Sequence, residues 1–185
     1  INCIAQILSD FCYPDRETIL TPWQTVNRHM TDTLGGYSFF DNSFDKMLSE
    51  PRFVYNGDAT LHTMMNPKVR VLDIASKTGL YSLYVAYSLY KLRSSQSQGL
   101  FDKLTDDEAQ QLWDDIVSNN IFAVCRTRMA DCVTRRTLMG YRDSSRVNIC
   151  HMADMNSQVI LYKRKFIRTV TDPRNFSSNK KMKQL

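Results

Sequence analysis

Val69-Arg70-Val71-Leu72-Asp73-Ile74-Ala75-Ser76-Lys77-Thr78-Gly79-Leu80-Tyr81 decides the fold. A short β-branched run ends in an acid. A polar turn follows, and Gly79 opens an apolar-periodic segment. Length and flanking turn chemistry make Val69–Ile74 a buried strand, and the spacing of Leu80, Leu83, Tyr84 and Ala86 or Tyr87 makes Gly79–Leu92 a helix. Strand–turn–helix corners of this kind hold nucleotide-like ligands, because the backbone can approach the ligand and the helix start offers free N–H groups. An ordinary turn with Asp73 as a cap would also account for the stretch.

Working outward, Thr105 and Glu108 form a capping box that opens a helix to about residue 118. Ile121–Cys125 is a second strand. Thr127–Met139 is a helix stopped by Gly140, Val147–Cys150 a third strand, and Ser157–Val170 a last helix. Strands alternating with helices indicate an α/β fold with a parallel sheet flanked by helices. The carboxyl ends of the strands then bring Asp73, Cys125, Arg126 and Asp154 to one edge. Towards the N-terminus, Ile1–Cys12 has helical periodicity. Thr21 is the expected cap of a second helix, with Pro22 in its first turn, Gln24 completing a capping box, and Leu34-Gly35-Gly36 as its stop. Residues 37–68 read as irregular, with one short helix near Ser43–Leu48, and Ser94–Gly99 as a polar loop. The chain divides into an N-terminal helical segment, 1–68, and a sheet domain, 69–185.

The chain has 185 residues, 43% hydrophobic, enough for one domain with a proper core, and a net charge of +5. That charge is compatible with a nucleic-acid partner without requiring one. Its apolar runs are too short to span a bilayer, which excludes a helical membrane protein. Cys3, Cys12, Cys125, Cys132 and Cys150 lack zinc-site spacing and read as reduced thiols of a cytoplasmic protein. The start at Ile1 suggests a piece of a longer polypeptide. Three phosphate or acyl-transfer motifs fail. A P-loop needs glycine before Lys77-Thr78. A dinucleotide fingerprint needs three glycines. A Lys-Thr-Gly of the β-lactamase kind belongs on a strand.

Asp73-Ile74-Ala75-Ser76-Lys77-Thr78-Gly79 resembles the first cofactor motif of S-adenosylmethionine (SAM) methyltransferases. It is most similar to the Asp-Pro-Ala-Cys-Gly-Thr-Gly of amino-group, adenine-specific DNA methyltransferases, with Lys77 in place of the first glycine. Thr21-Pro22, about fifty residues upstream, resembles the Thr-Pro motif of the gamma arrangement, which closes over the methionine carboxylate. The resemblance implies a partial Rossmann-like SAM-methyltransferase fold with an N-terminal helical extension. It implies SAM bound by Thr21, Pro22, Asp73, Ser76, Lys77, Thr78, Gly79 and Asp154. Asp73 would serve the ammonium end and Asp154 the adenine amino group. Cys125 stands where the family's ribose-binding acid is usual. The parent would be a restriction–modification polypeptide with DNA as partner, methylating the adenine exocyclic amine. The family's Asn/Asp-Pro-Pro-aromatic tetrapeptide, which grips a flipped base, does not occur here, so no catalytic residue is assigned and the isolated chain is expected to be inactive.

Two other classes fit the residues. One is a SAM methyltransferase acting on RNA, protein or a small molecule. The other is a non-catalytic Rossmann-like module, favoured by Lys77 and Cys125. Arg126, Arg128, Arg135, Arg136, Arg142 and Arg146 cluster in sequence, either against phosphate or as a solvated face. His151 reads as structural.

Overall fold

A computed structural model describes residues 1–10, 20–97, 104–142, 147–172 and 174. In chain order the elements are α1 (Asn2–Asp10), α2 (Trp23–Thr33), β1 (Gly36–Phe40), β2 (Met47–Val54), α3 (Gly57–His62), β3 (Val71–Ile74), α4 (Leu80–Ser97), α5 (Asp106–Asn120), β4 (Ile121–Cys125), α6 (Arg128–Met139), β5 (Asn148–His151) and α7 (Met155–Val170).

The sheet is parallel and ordered β3-β4-β5. Asp73 lies beside Ala123 and Cys125 beside His151. β4 is central and buried on both faces, and its alternation divides the core. Ile121, Ala123 and Cys125 join the large cluster with Leu83, Val85 and Leu89 of α4, Ile116 and Val117 of α5, and Leu138 of α6. Val124 faces the other way, into a smaller cluster with Cys150, Met152, and Met155, Phe166 and Val170 of α7. So α4, α5 and α6 cover one face and α7 the other. Helices joining sequential neighbours by right-handed crossovers fall on the same face. α7 breaks that run.

The amide groups of Asn120 and Asn148 tie down the amino ends of the strands. Asn120 donates to the carbonyls of Val69 (2.6 Å) and Pro67 (3.2 Å), and Asn148 to those of Ser118 (2.5 Å) and Ile121 (3.2 Å). Local signals in this half act as expected. Thr105 and Glu108 form the full capping box of α5. Gly140 ends α6 at φ +62°, while Thr127, read as its first residue, is instead its cap, accepting from the Ala130 N–H.

The N-terminal half differs from the sequence reading. In place of irregular structure and a helix near residue 43, β1 and β2 form an antiparallel hairpin, followed by α3. The pairing shifts register between Ser38 and Phe40, and Pro51 falls in β2 opposite that irregularity. Proline cannot donate to a ladder and is confined to edges and bulges, so the strand pattern is masked in the sequence. α2 begins at Trp23, with Pro22 in the cap position and no side-chain cap bond. The capping box expected of Thr21 and Gln24 is not formed. Gln24 instead donates to the Phe44 carbonyl at 2.5 Å, a tertiary bond that fixes the β1–β2 connection. Buried Asn27 joins α2 to β1, accepting from the Phe39 N–H at 2.8 Å. Trp23 packs its ring against Phe39 and Tyr84, so α2 and β1 share the core of α4.

α4 also runs on to Ser97, through the expected loop at 94–97, and residues 98 and 99 lie outside the described residues. Within it, Ser94 and Ser95 donate to the carbonyls of Lys91 and Leu92, one turn back. No helix of the described residues is long and apolar enough to cross a membrane.

Candidate functional site at the carboxyl edge of the sheet

β3 ends at Ile74, and the chain turns at once. Ala75 adopts φ +64°, a left-handed conformation that costs a non-glycine residue energy. The Ser76 N–H then donates to the Val124 carbonyl at 2.9 Å, extending the parallel ladder past the strand end. Ser76 and Thr78 are buried, and Lys77 is exposed. Gly79 has φ +76°, and a Cβ placed there would lie 3.1 Å from Cγ2 of Thr134. Glycine is therefore required by backbone conformation and by the closeness of α6 together.

Asp73 is half-buried at this edge. Its Oδ2 accepts from the Ser82 hydroxyl, in the first turn of α4, at 3.0 Å. Burial pushes the carboxyl up from its ordinary value of 3.8, against the opposing pull of the Ser76 and Ser82 hydroxyls. Tyr81 stands next to it. Burial, and then the charge of Asp73, raise its phenol above 10.0. The Tyr81 hydroxyl lies 2.8 Å from Nδ1 of His29 on α2, and the two rings stack at 6.3 Å. Asp73, Ser82, Tyr81 and His29 thus form a polar group between the strand end, α4 and α2. With the Ser76 and Ser82 hydroxyls and the Ser82 N–H on it, the carboxylate still keeps a lone pair for an ammonium or ribose hydroxyl.

The far side of the turn is packed. The Ser76 and Thr134 hydroxyls are 3.2 Å apart, Thr137 donates to the Thr78 carbonyl at 2.6 Å, and the Cys125 thiol lies 3.6 Å from the Thr134 hydroxyl. Burial pushes Cys125 up to about 12, with smaller contributions from Asp131 and Asp73. Cys150 is likewise pushed up to about 12 by burial, with Cys125 beside it. Both are neutral packing thiols.

Asp154 is exposed at the start of α7, just beyond β5. It makes no side-chain cap bond and accepts from Nε2 of Gln158 at 2.9 Å. His151 approaches the Arg126 carbonyl at 3.1 Å through Nε2. Asp73, Ser76, Lys77, Thr78, Gly79 and Asp154 therefore lie along one edge of the sheet. Thr21 is half-buried and Pro22 exposed. No hydrogen bond among the described residues links them to this edge, and the α2 residue that reaches it is His29. Ser82, His29 and Gln158 carried no spacing signal, whereas Tyr81 closed the decisive stretch.

α7 adds a topological feature. It crosses to the face opposite α4–α6 and brings Thr171 to the foot of β3, where Arg70 donates to its carbonyl at 3.4 Å. The outer edge of β3 has no strand partner among the described residues, and Ile74 is 47% exposed. The chain thus doubles back towards β3, the strand that carries Asp73. Open α/β sheets bind ligands at the carboxyl ends of strands where crossovers change direction.

Elsewhere, a cavity of about 490 Å³ lies between α1, α4 and α5, lined by Ile4, Tyr90 and Trp113, and one of about 190 Å³ beside Cys132 and Arg136. Among the clustered arginines, Arg135 pairs with Asp131, Arg142 with Asp114, and Arg136 donates to the Gly140 carbonyl. Arg146 lies outside the described residues. No metal-binding group of His, Cys, Asp and Glu occurs among the described residues. No family model, curated protein or solved structure matches the chain.

Proposed function

We propose that the carboxyl edge of β3 and β5 binds S-adenosylmethionine, and that the chain is the cofactor-binding part of an adenine-specific DNA methyltransferase of the restriction–modification type. One observation carries this reading. Asp73 is held half-buried, with the Ser76 and Ser82 hydroxyls on its carboxylate, at the end of the strand to which the chain doubles back. That position suits the ammonium of the methionine part. Ser76–Gly79 supply the closely approaching backbone, and Asp154 stands at the other end of the edge for the adenine. The resemblance gives Thr21-Pro22 to the methionine carboxylate, and α2 reaches the site through the His29–Tyr81 contact. Methyl transfer to the adenine amine, and DNA binding, belong to the parent polypeptide. Transfer to another substrate remains compatible with the same cofactor site.

A second reading has its own support. Ser76 and Thr78 are tied to α6, and the neutral Cys125 stands in place of an acid. Those features suit a Rossmann-like interaction module that binds no cofactor.

Calorimetric titration of the chain with SAM, beside an Asp73→Ala variant, separates the two. Saturable binding that the variant loses supports the cofactor site. A folded wild-type chain that takes up no SAM favours the module.

A further inference from the structure

Two helices on opposite faces of the sheet carry opposite, unmixed charge. α5 holds Asp106, Asp107, Glu108, Asp114 and Asp115 and no base, whereas α7 holds Lys163, Arg164, Lys165 and Arg168 and no acid. Asp106 and Asp107 are exposed, as are all the bases of α7. None of these has an ion-pair partner among the described residues.

Each helix also offers apolar surface beside its charge. Ile160, Leu161 and Tyr162 are 79%, 67% and 51% exposed. The spacing of Tyr162 from buried Met155 and Phe166 would place it inward on a regular helix. The backbone leaves helical geometry there, at φ −133° and ψ 39°, and the ring is turned out. Successive exposed apolar residues of this kind mark a surface that something covers. The cavity of about 490 Å³ beside α5 has matching chemistry. Ile4, Tyr90, Ala109 and Trp113 line it together with Asp106. Arg142 also lines it, but is paired with Asp114. In one molecule the sheet stands between the two surfaces, because α5 packs on the face with α4 and α6, and α7 on the other. They can meet only across two copies.

We propose that the chain associates head to tail with a second copy of itself. Ile160, Leu161 and Tyr162 of one copy enter the groove between α1, α4 and α5 of the other, and Lys163 and Arg164 face Asp106 and Asp107 there. Such a contact is heterologous. Each pair keeps one free α7 and one free groove, so association continues unless a ring closes. The contact uses neither Asp73 nor the turn after β3, so it stands or falls separately from the SAM site.

Sedimentation velocity over a range of chain concentrations tests it. Wild type is expected to form larger species as concentration rises, and less so at about 0.5 M than at about 0.05 M salt, because exposed charge pairs are screened. Ile160→Ser with Leu161→Ser removes the apolar ridge, and Asp106→Lys with Asp107→Lys sets like charges against α7. Each double variant should weaken association about tenfold or more. Circular dichroism checks that both are folded, and Asp106→Asn with Asp107→Asn replaces the lysine pair if that variant is not. The decisive arm mixes the two double variants. The first keeps an intact groove and the second an intact α7, so together they should form a one-to-one pair that grows no further. Association that either variant leaves intact places the contact elsewhere and overturns the proposal, as does a mixture in which no pair forms. A wild-type chain that stays monomeric throughout also overturns it. If that monomer is held by vesicles of anionic phospholipid through Ile160 and Leu161, α7 belongs to a membrane surface instead.

Discussion

The Ser82 hydroxyl donates to Oδ2 of Asp73 at 3.0 Å, joining the end of β3 to the first turn of α4. Two hydroxyls favour the charged carboxylate there, but burial outweighs them and the fold holds the Asp73 proton more tightly than the unfolded chain does. For an acid raised in this way, the stabilising contribution is complete below the unfolded value of 3.8 and is lost as pH rises through the folded value. Asp73→Asn, which still accepts from Ser82, is therefore expected to be more stable than wild type at pH 7, with the difference disappearing below pH 3.8. Urea melts across that range check the sign. A difference that grows as pH falls would contradict it.

Gly79 is the tightest point of the corner. Its φ of +76° and the 3.1 Å approach of Thr134 both oppose a side chain. Gly79→Ala should cost roughly 1–3 kcal/mol. Adding Thr134→Ser removes the Cγ2 contact and should recover part of that loss, since the backbone cost remains. Denaturant melts of the single and double variants measure the two components.

Trp23 anchors α2 through Phe39 and Tyr84 and is 1% exposed. Trp23→Ala should destabilise by about 3–5 kcal/mol. Thr105→Ala removes only the α5 capping box and should cost about 1 kcal/mol. Equal losses in chemical denaturation would contradict this assignment of the core.

Cys125 and Cys150, both pushed up to about 12, carry negligible thiolate at pH 8. Iodoacetamide followed by peptide mass spectrometry should label exposed Cys3 and Cys132 in the native chain, and Cys125 and Cys150 only after unfolding. Rapid native labelling of Cys125 would show that the α6 side of the turn opens.

The elements legible in sequence were those with strong local chemistry. The Thr105–Glu108 box and Gly140 set α5 and the end of α6, and the apolar run of Ile121–Cys125 is buried on both faces. The hairpin was hidden because Pro51 and the register shift near Ser38 erase its alternation. Thr21-Pro22-Trp23-Gln24 has the composition of a cap, yet Gln24 gains a tertiary partner in Phe44 instead. In the candidate site, strand-end acids could be placed from the order of elements alone. The His29–Tyr81 contact and the Gln158 amide could not, because each depends on how α2 and α7 lie against the sheet.

A single ligand spanning the carboxyl ends of β3 and β5 would be seen in amide chemical-shift mapping of the ¹⁵N-labelled chain during titration with SAM. Saturable shifts are expected at Asp73, Ser76–Ser82 and Met155–Gln158. A well-dispersed spectrum that SAM leaves unchanged, or shifts confined to the cavity beside Trp113, would contradict it.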